Sequence, residues 1–241
     1  MFKKILAVCA LAASVSFAEW DYFPILPQGQ GQVVGAIGYT DVDPLTWMEG
    51  EVGVRYSPLS FMEVYLKFDY RFFSHVDGED AKADGIGNLP LGIKFQVTPQ
   101  FALFGDFLLP TGDESYNNED EFIFDVGFSH VSMYSMLAWG SEFAVTFYTD
   151  SQVLVFNVGD EWDLLFGRFV PYFMFDVEYG VYTGPGGSSD AFGVIAGLGA
   201  KFSITEAASL DFSARFYFGD LHEYYNCDDP VQFVLAFFYT F

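Results

Sequence analysis

Hydrophobicity with a period of two residues recurs along most of this chain and constrains its fold more than any other feature. In the last eleven residues, VQFVLAFFYTF, every odd-numbered position is apolar or aromatic, and the even-numbered positions include Gln232 and Thr240. The segment FMEVYLKFDYRF at 61–72 alternates in the same way and has all its charged residues at odd positions. Because successive side chains leave opposite faces of a strand, this period predicts β-structure.

The alternation predicts about twelve strands, and most of them are long. Many reach the ~9–11 residues that a tilted strand needs to cross a bilayer, which exceeds the ~5 or 6 residues usual in soluble sheets. The strand at 152–160 and the segment HVSMYSML before residue 138 alternate least. The predicted strands are 32–40, 48–57, 61–74, 86–97, 100–110, 120–130, 138–149, 152–160, 166–182, 192–204, 207–218 and 230–241.

The connections between these strands alternate in length. SPLS, VTPQ and ITEA are tight, whereas SHVDGEDAKADG, PTGDESYNNEDE, TGPGGSSDA and GDLHEYYNCDDP are long, polar and mostly acidic. Short turns at one end and long loops at the other are typical of outer-membrane β-barrels. An even number of strands then predicts that both termini are periplasmic and that the acidic loops are extracellular.

The area of the apolar face indicates what covers it. The chain contains 30 Phe residues and is 51% hydrophobic, yet no segment remains outside the strands to cover an apolar sheet face of this size. Lipid can cover that face, and closing the sheet removes the unpaired edges that a bilayer cannot hydrate. The predicted fold class is all-β, an antiparallel up-and-down transmembrane barrel in the outer membrane of a Gram-negative cell.

The N-terminus, MFKKILAVCALAASVSFA, has the features of a secretory signal peptide. Two lysines precede an apolar run, and small residues lead to a cleavage site after Ala18. The predicted organisation is a signal peptide at 1–18 and a single barrel domain at 19–241. A lipoprotein signal would modify Cys9, but Val8 stands where such signals carry a small residue.

The net charge excludes some classes of partner, and the cysteine count excludes an internal disulfide. The formal net charge of −23 argues against binding to nucleic acid or anionic surfaces. After cleavage Cys227 would be the one cysteine left, so no internal disulfide could form. It remains open whether Cys227 is a thiol site, an intermolecular bridge or an incidental loop cysteine.

The alternating residues of each predicted strand form two lists, one for each face of the strand. The Lys and Arg residues of the strands fall on the polar lists, together with the acids named below, which predicts that these charges line the lumen. Charges removed from bulk water have to be paired or hydrated, so they form either charged rings of a narrow pore or a salt-bridged plug of side chains. Glu51 and Glu121 belong to the same lists. The candidate lumen and selectivity residues are Arg55, Glu63, Lys67, Asp69, Arg71, Lys94, Asp106, Asp125, Glu142, Arg168, Asp176, Glu178, Lys201, Asp211 and Arg215.

Aromatic residues near the predicted strand ends suggest the interfacial girdles of a membrane barrel. These residues are Tyr39, Tyr56, Tyr70, Trp139, Tyr148, Tyr179, Tyr182 and Tyr239.

The C-terminal segment resembles the ending of Gram-negative outer-membrane β-barrel proteins, which close on Phe or Trp with an aromatic residue two positions earlier. The resemblance implies an assembly signal read by the barrel-assembly machinery. Its residues here are Phe233, Leu235, Phe237, Tyr239 and Phe241.

A second segment, GNLPLGIKFQVTPQFALFGDFLLPTG, is similar to a hairpin of the transporter family named for the MetA pathway of phenol degradation. The hairpin ends in a Leu-Pro-Thr-Gly element at 109–112. The resemblance implies passage of small organic molecules across the outer membrane and assigns no site residues.

The sequence offers little for catalysis. His75, His130 and His222 lie in no metal-binding pattern, so neither a metal nor a cofactor is expected. SHVSMY resembles the His-x-Ser of outer-membrane phospholipase A at His130 and Ser132. Met133 and Tyr134 stand where that family has Asn-Gly, and without an orienting partner the serine has no defined base.

The sequence therefore predicts a non-enzymatic outer-membrane channel that passes small solutes, hydrophobic or aromatic ones among them, through a narrow charged lumen. A structural or surface-interaction barrel with a plugged lumen is the alternative, and a lipid hydrolase is a remote one. Expected partners are the solute, outer-membrane lipid, lipopolysaccharide and the barrel-assembly machinery. The acidic loops are either divalent-cation bridges to lipopolysaccharide or a solvated surface.

Overall fold

The computed structural model describes residues 22–42, 45–76, 79–80, 84–113, 121–182, 189–221 and 230–241. In these residues the chain forms one antiparallel sheet of long strands and two two-residue strands. The strands are β1 (Gly31–Val42), β2 (Leu45–Leu59), β3 (Met62–Val76), β4 (Glu79–Asp80), β5 (Gly85–Ile86), β6 (Leu89–Thr98), β7 (Phe101–Leu109), β8 (Ile123–Tyr134), β9 (Leu137–Tyr148), β10 (Val153–Leu164), β11 (Phe169–Tyr182), β12 (Ser189–Ser203), β13 (Ala208–Phe218) and β14 (Val231–Thr240).

The sheet closes on itself through its first and last strands. β1 pairs with β14 in a register that sets Val33 opposite Tyr239 and Tyr39 opposite Phe233, and its other edge pairs with β2. Each remaining long strand pairs with the next long strand along the chain. The prediction of an all-β, antiparallel up-and-down barrel of twelve long strands is confirmed.

Both ends of the barrel's chain meet at the end of the barrel that carries the tight turns. The backbone N–H of Gly31 donates to the carbonyl oxygen of Phe241 at 2.9 Å, and the N–H of Phe241 returns a 2.8 Å bond to Gly31. This pair closes the seam at the same end as the turns at 60–61, 99–100 and 204–207. That this end is periplasmic stays a prediction from the loop lengths.

Each strand has an apolar outward face and a more polar inward face. On β14 the outward side chains Phe233, Leu235 and Phe237 are exposed, whereas the intervening Gln232 and Val234 are buried. The exposed apolar face runs around the barrel, as lipid contact requires. The fold is therefore that of an outer-membrane β-barrel.

Among the described residues, no helix has both the length and the apolar character needed to cross a membrane.

Several strand boundaries differ from the prediction. β10 continues to Leu164, beyond the predicted end at 160, and β8 continues through HVSMY to a tight turn at Ser135, whose φ is +53°. The predicted strand 86–97 is interrupted at residues 87 and 88, because Gly87 bonds to the Asp69 carbonyl before β6 begins at Leu89.

Two of the predicted girdle aromatics are on the wrong face. Tyr148 and Tyr182 occupy the inward lists of β9 and β11, because the outward lists of these strands are the odd-numbered ones. The predicted girdle residues Tyr39, Tyr56, Tyr70, Trp139, Tyr179 and Tyr239 lie on outward lists.

Several sequence predictions fall outside the described residues. These are the signal peptide at 1–18 with Cys9, the loop residues Cys227 and His222, and most of the two acidic loops.

Candidate functional site

The candidate functional site is the lumen, because the charged side chains of the strands converge there. Carboxylates outnumber cations on the inward lists, and several of these charges are almost inaccessible to solvent: Glu63 is 0% exposed and Lys94 is 1% exposed. The predicted lumen residues that occupy inward strand positions are Arg55, Glu63, Lys67, Asp69, Arg71, Lys94, Asp106, Asp125, Glu142, Asp176, Glu178, Lys201, Asp211 and Arg215.

Arg168 does not line the lumen as predicted. The strand expected to start at 166 begins only at Phe169, so Arg168 is an exposed residue of the tight turn between β10 and β11. Its charge therefore faces water at the barrel rim.

Three lumen acids were missed from the sequence. Glu161 and Asp163 lie on the inward list of β10, beyond the predicted end of that strand, and Glu49 is the inward neighbour of Glu51 on β2. Their alternation with Trp162 and Leu164 was the signal that could have extended the strand.

Lys201 on β12 joins two of these acids. Its Nζ donates hydrogen bonds to Glu161 and to Asp163, the latter at 3.2 Å, and lies 4.7 Å from the ring centroid of Tyr172. Glu161 is 0% exposed, so its desolvation has to be offset by these contacts.

Two arginines of the first hairpins have carboxylate partners. Arg55 Nη1 lies 3.5 Å from Glu63 Oε1, and Arg71 Nη2 lies 3.7 Å from Glu49 Oε2. The Arg71 guanidinium also lies 5.2 Å from the ring centroid of Trp47. These contacts fix two inward cations against the same part of the wall.

Tyrosine hydroxyls bind further carboxylates that lie two strands away along the inner wall. Tyr65 donates to Asp106, and Tyr172 donates to Asp211 at 3.0 Å. Each of these carboxylates therefore has a hydrogen-bond donor, and a buried acceptor without a donor would be costly.

A segment that precedes β1, residues 22–30, enters the barrel with residues 22–26, whereas residues 27–30 are exposed beside the end of β2. The Lys94 Nζ donates to the Phe23 carbonyl oxygen at 2.9 Å, and Lys201 Nζ lies 4.7 Å from the centroid of the Phe23 ring. Further along, the Leu26 N–H donates to Glu63 Oε2 at 2.9 Å. The backbone of the segment therefore binds two charges on the paired strands β3 and β6, and the Phe23 ring lies against a third charge on β12.

Two inward glycines make room for the start of this segment. A Cβ on Gly140 would lie 2.9 Å from the Tyr22 Cβ, and a Cβ on Gly159 would lie 2.4 Å from the Tyr22 hydroxyl. That hydroxyl donates to Asp176. Tyr22 thus fits against β9 and β10 only because these two positions have no side chain.

Sequence reasoning missed this segment because it does not alternate. Residues 22–30, YFPILPQGQ, carry two prolines and no period of two, so they read as a connection between the cleavage site and β1. Their content of Tyr, Phe, Ile and Leu was the signal that they are covered by protein.

Taken together, the lumen is lined by charges and holds part of an apolar segment. An excess of inward carboxylates favours cations or neutral solutes over anions. Among the described residues, no group of three or more His, Cys, Asp and Glu side chains is placed to hold a metal ion.

The His130 and Ser132 pair lies on the outside of the barrel. Both residues occupy the outward list of β8, where Ser132 Oγ is 3.4 Å from His130 Nε2. The His130 ring packs edge-on against Trp139, with ring centroids 5.6 Å apart. This pair is therefore separated from the lumen by the barrel wall.

The predicted assembly residues form the outward list of β14, together with Phe241 after its end. Phe233, Leu235, Phe237, Tyr239 and Phe241 are all exposed on the outer surface. Their role in assembly stays a prediction.

Comparison with known proteins gives one family and several similar structures. The family model described as Putative MetA-pathway of phenol degradation matches residues 21–225. No curated protein sequence matches the chain.

Similar structures include outer-membrane channels, porins and the translocator domains of autotransporters. A crystal structure of an outer-membrane channel from Pseudomonas putida F1 superposes with a TM-score of 0.70 at 14% identity, covering 93% of this chain and 99% of that one. The CymD monoaromatic hydrocarbon channel gives a TM-score of 0.51 at 10% identity, covering 89% and 88%. A KdgM porin in complex with disordered oligogalacturonate gives 0.53 at 7% identity, covering 86% and 99%. These superpositions show a shared fold.

Proposed function

The chain belongs to the family described as Putative MetA-pathway of phenol degradation, and from this premise we propose that it is a narrow outer-membrane channel for small solutes. The observation that carries the proposal is the charged lumen. The barrel is closed, and the charges on its inward faces are paired or hydrogen-bonded. A barrel of ~8 strands is filled by its side chains and one of ~16 holds a wide aqueous channel, so twelve leaves a narrow path.

Aromatic solutes are the class we favour. The segment at 22–30 places Tyr22 and Phe23 in the lumen, where they accompany Tyr65, Tyr172 and Tyr217 on the wall. A path between aromatic rings and carboxylates suits flat, uncharged or cationic molecules with an aromatic ring. The family's association with phenol degradation and the fold shared with a monoaromatic hydrocarbon channel support this choice.

A plugged, structural barrel is the second candidate, and the segment at 22–30 favours it. This segment crosses the lumen at the tight-turn end, and the adjoining Glu63 and Lys94 have almost no solvent exposure. In that case the acidic loops would be the working surface.

Solute flux into proteoliposomes separates the two candidates. The test solutes should not cross lipid unaided, such as benzyltrimethylammonium, benzenesulfonate and a disaccharide. The channel proposal expects swelling with the aromatic cation that exceeds swelling with the aromatic anion, because the lumen is rich in carboxylates. Swelling rates equal to those of empty liposomes for all three solutes would favour the plugged barrel.

The remaining partners stay proposals. Lipid contacts the outward apolar face, and we propose the barrel-assembly machinery as the partner that reads the C-terminal strand. Lipopolysaccharide would meet the barrel at the long-loop end, where the acidic loops begin and end.

A further inference from the structure

Polar side chains interrupt the membrane-facing surface in one patch on β8, β9 and β10. His130 and Ser132 lie on the outward list of β8, Ser141 on that of β9 and Asp160 on that of β10. We call these four residues the outer polar patch. Their outward neighbours along the same strands, such as Phe128 and Val158, are apolar and exposed.

The strand register brings the members of the outer polar patch side by side. His130 pairs with Ser141, and Ser141 pairs with Asp160, so the three residues form a row across adjacent strands. With strands about 4.8 Å apart, the backbones of His130 and Asp160 are about 10 Å apart. Ser132 adds a hydroxyl 3.4 Å from His130 Nε2.

Two tryptophans place this patch at the edge of the bilayer. Trp139 and Trp162 pair directly in the next outward row toward the tight turns, and Trp162 stacks on Phe173 at a centroid distance of 5.6 Å. Outward Trp residues mark the interface between the hydrocarbon and the headgroups. Asp160 is four residues before the end of β10, about 9 Å from it along the barrel axis for a strand tilted by about 45°.

Asp160 sets the chemistry of the patch. It is a half-buried carboxylate facing out from the barrel wall, and Trp139 Nε1 donates to its Oδ1 at 2.7 Å. A carboxylate at the hydrocarbon boundary is costly unless a cation or further donors satisfy it. On one side it adjoins Ser141, and beyond Ser141 lie the donors of His130 and Ser132.

We propose that the outer polar patch binds a phosphoethanolamine headgroup of the leaflet at the tight-turn end. The primary ammonium would bind Asp160, and the phosphate oxygens would accept hydrogen bonds from Ser141, Ser132 and His130. The row of about 10 Å spans a headgroup that carries a cation and an anion a few bonds apart. The neighbouring Trp139 and Trp162 would pack against the glycerol region.

The test is native mass spectrometry of the full chain in detergent, titrated with dioleoyl lipids that differ only in the headgroup. Phosphatidylethanolamine should be retained about tenfold more than phosphatidylcholine, because the quaternary ammonium cannot make the charge-assisted hydrogen bond to Asp160. Phosphatidylglycerol, which has no cation, should be retained as weakly as phosphatidylcholine.

Asp160→Asn isolates the proposed ammonium contact, since Asn keeps the volume and an oxygen that can accept from Trp139. This variant should lose the preference for phosphatidylethanolamine while remaining a folded, heat-modifiable barrel. His130→Gln should weaken the retention of all three lipids together, because each has a phosphate. Tyr56→Phe, which removes a polar atom from the outward face of β2 at the same end of the barrel, should change nothing.

Equal retention of phosphatidylethanolamine and phosphatidylcholine by the wild type would overturn the proposal, as would an undiminished preference in Asp160→Asn. Release of fatty acid by the wild type and not by Ser132→Ala would make the patch a hydrolytic site, which also contradicts the proposal. None of these results depends on whether the lumen conducts, so the channel proposal is judged separately.

Discussion

Inside the barrel, the Nζ of Lys94 donates a 2.9 Å hydrogen bond to the backbone carbonyl oxygen of Phe23. Lys94 belongs to the wall and Phe23 to the segment before β1, so this bond joins the lumen lining to the element that narrows it. Lys94 is 1% exposed, and a buried ammonium needs such acceptors. The bond therefore holds the segment at 22–30 against the lumen wall.

Removing the two aromatic rings at the start of this segment should widen the proposed path through the lumen. The double variant Tyr22→Ala and Phe23→Ala removes the phenol that bonds to Asp176 and the ring next to Lys201. Single-channel conductance in a planar bilayer should rise relative to the wild type. Phe218→Ala, an outward change on β13, is the matched control and should leave the conductance as it is.

Loss of the Lys201 cation should destabilise the barrel. In Lys201→Gln, Glu161 and Asp163 keep their burial and lose the ammonium between them. Removing one partner of a buried pair costs about 3–5 kcal/mol, and the cost here should fall below that range because the Lys201 side chain is 26% exposed. The temperature midpoint of the heat-induced shift in gel mobility measures this loss of stability.

Arg168→Gln is the matched control for this variant, because that cation lies exposed in a turn. The midpoint of the control should equal that of the wild type. An unchanged midpoint in Lys201→Gln would contradict the paired arrangement.

Charge selectivity should depend on the facing acids of β7 and β8. Asp106 and Asp125 are direct register partners on the inward faces. Replacing both by Asn should lower the ratio of cation to anion permeability, read from the reversal potential in a salt gradient. Asp190→Asn, on the outward rim beside the Tyr179 hydroxyl, should not shift that potential.

Deleting Phe241 should impair assembly before it impairs transport. Its backbone closes the seam by two hydrogen bonds with Gly31, and its ring lies where a Cβ on Gly31 would be only 2.5 Å away. The folded fraction in outer-membrane preparations should fall, while the molecules that do fold should conduct as the wild type does. Normal yields with altered conductance would instead make Phe241 part of the path.

The strand faces were predictable from the sequence because each one depends only on local alternation. The apolar positions of β14, for example, point outward as expected, and the first and last strands pair over Val33 to Tyr39. The strand ends that were predicted wrongly lie where the alternation weakens. Polar residues follow Gly159, so β10 was predicted to end too early, and β8 was predicted to end before the turn at Ser135, whose φ is positive.

The lumen was less predictable, because its contents depend on contacts distant in the chain. Alternation placed Lys201 and Glu63 on inward faces, yet it could not show that residues 22–30 enter the barrel to meet them. That placement follows from Gly140 and Gly159, which leave room for Tyr22 more than a hundred residues away in sequence. The outer polar patch likewise exists only through the register of three strands.

The most direct measurement of the channel account is the unitary conductance of the full-length protein, refolded and inserted into a planar bilayer. The account predicts small, resolved current steps that favour cations and are blocked by an added aromatic cation, which would occupy the path between the Tyr and Phe rings. A protein that inserts, shifts on gels with heat, and yet passes neither ions nor solutes would contradict it.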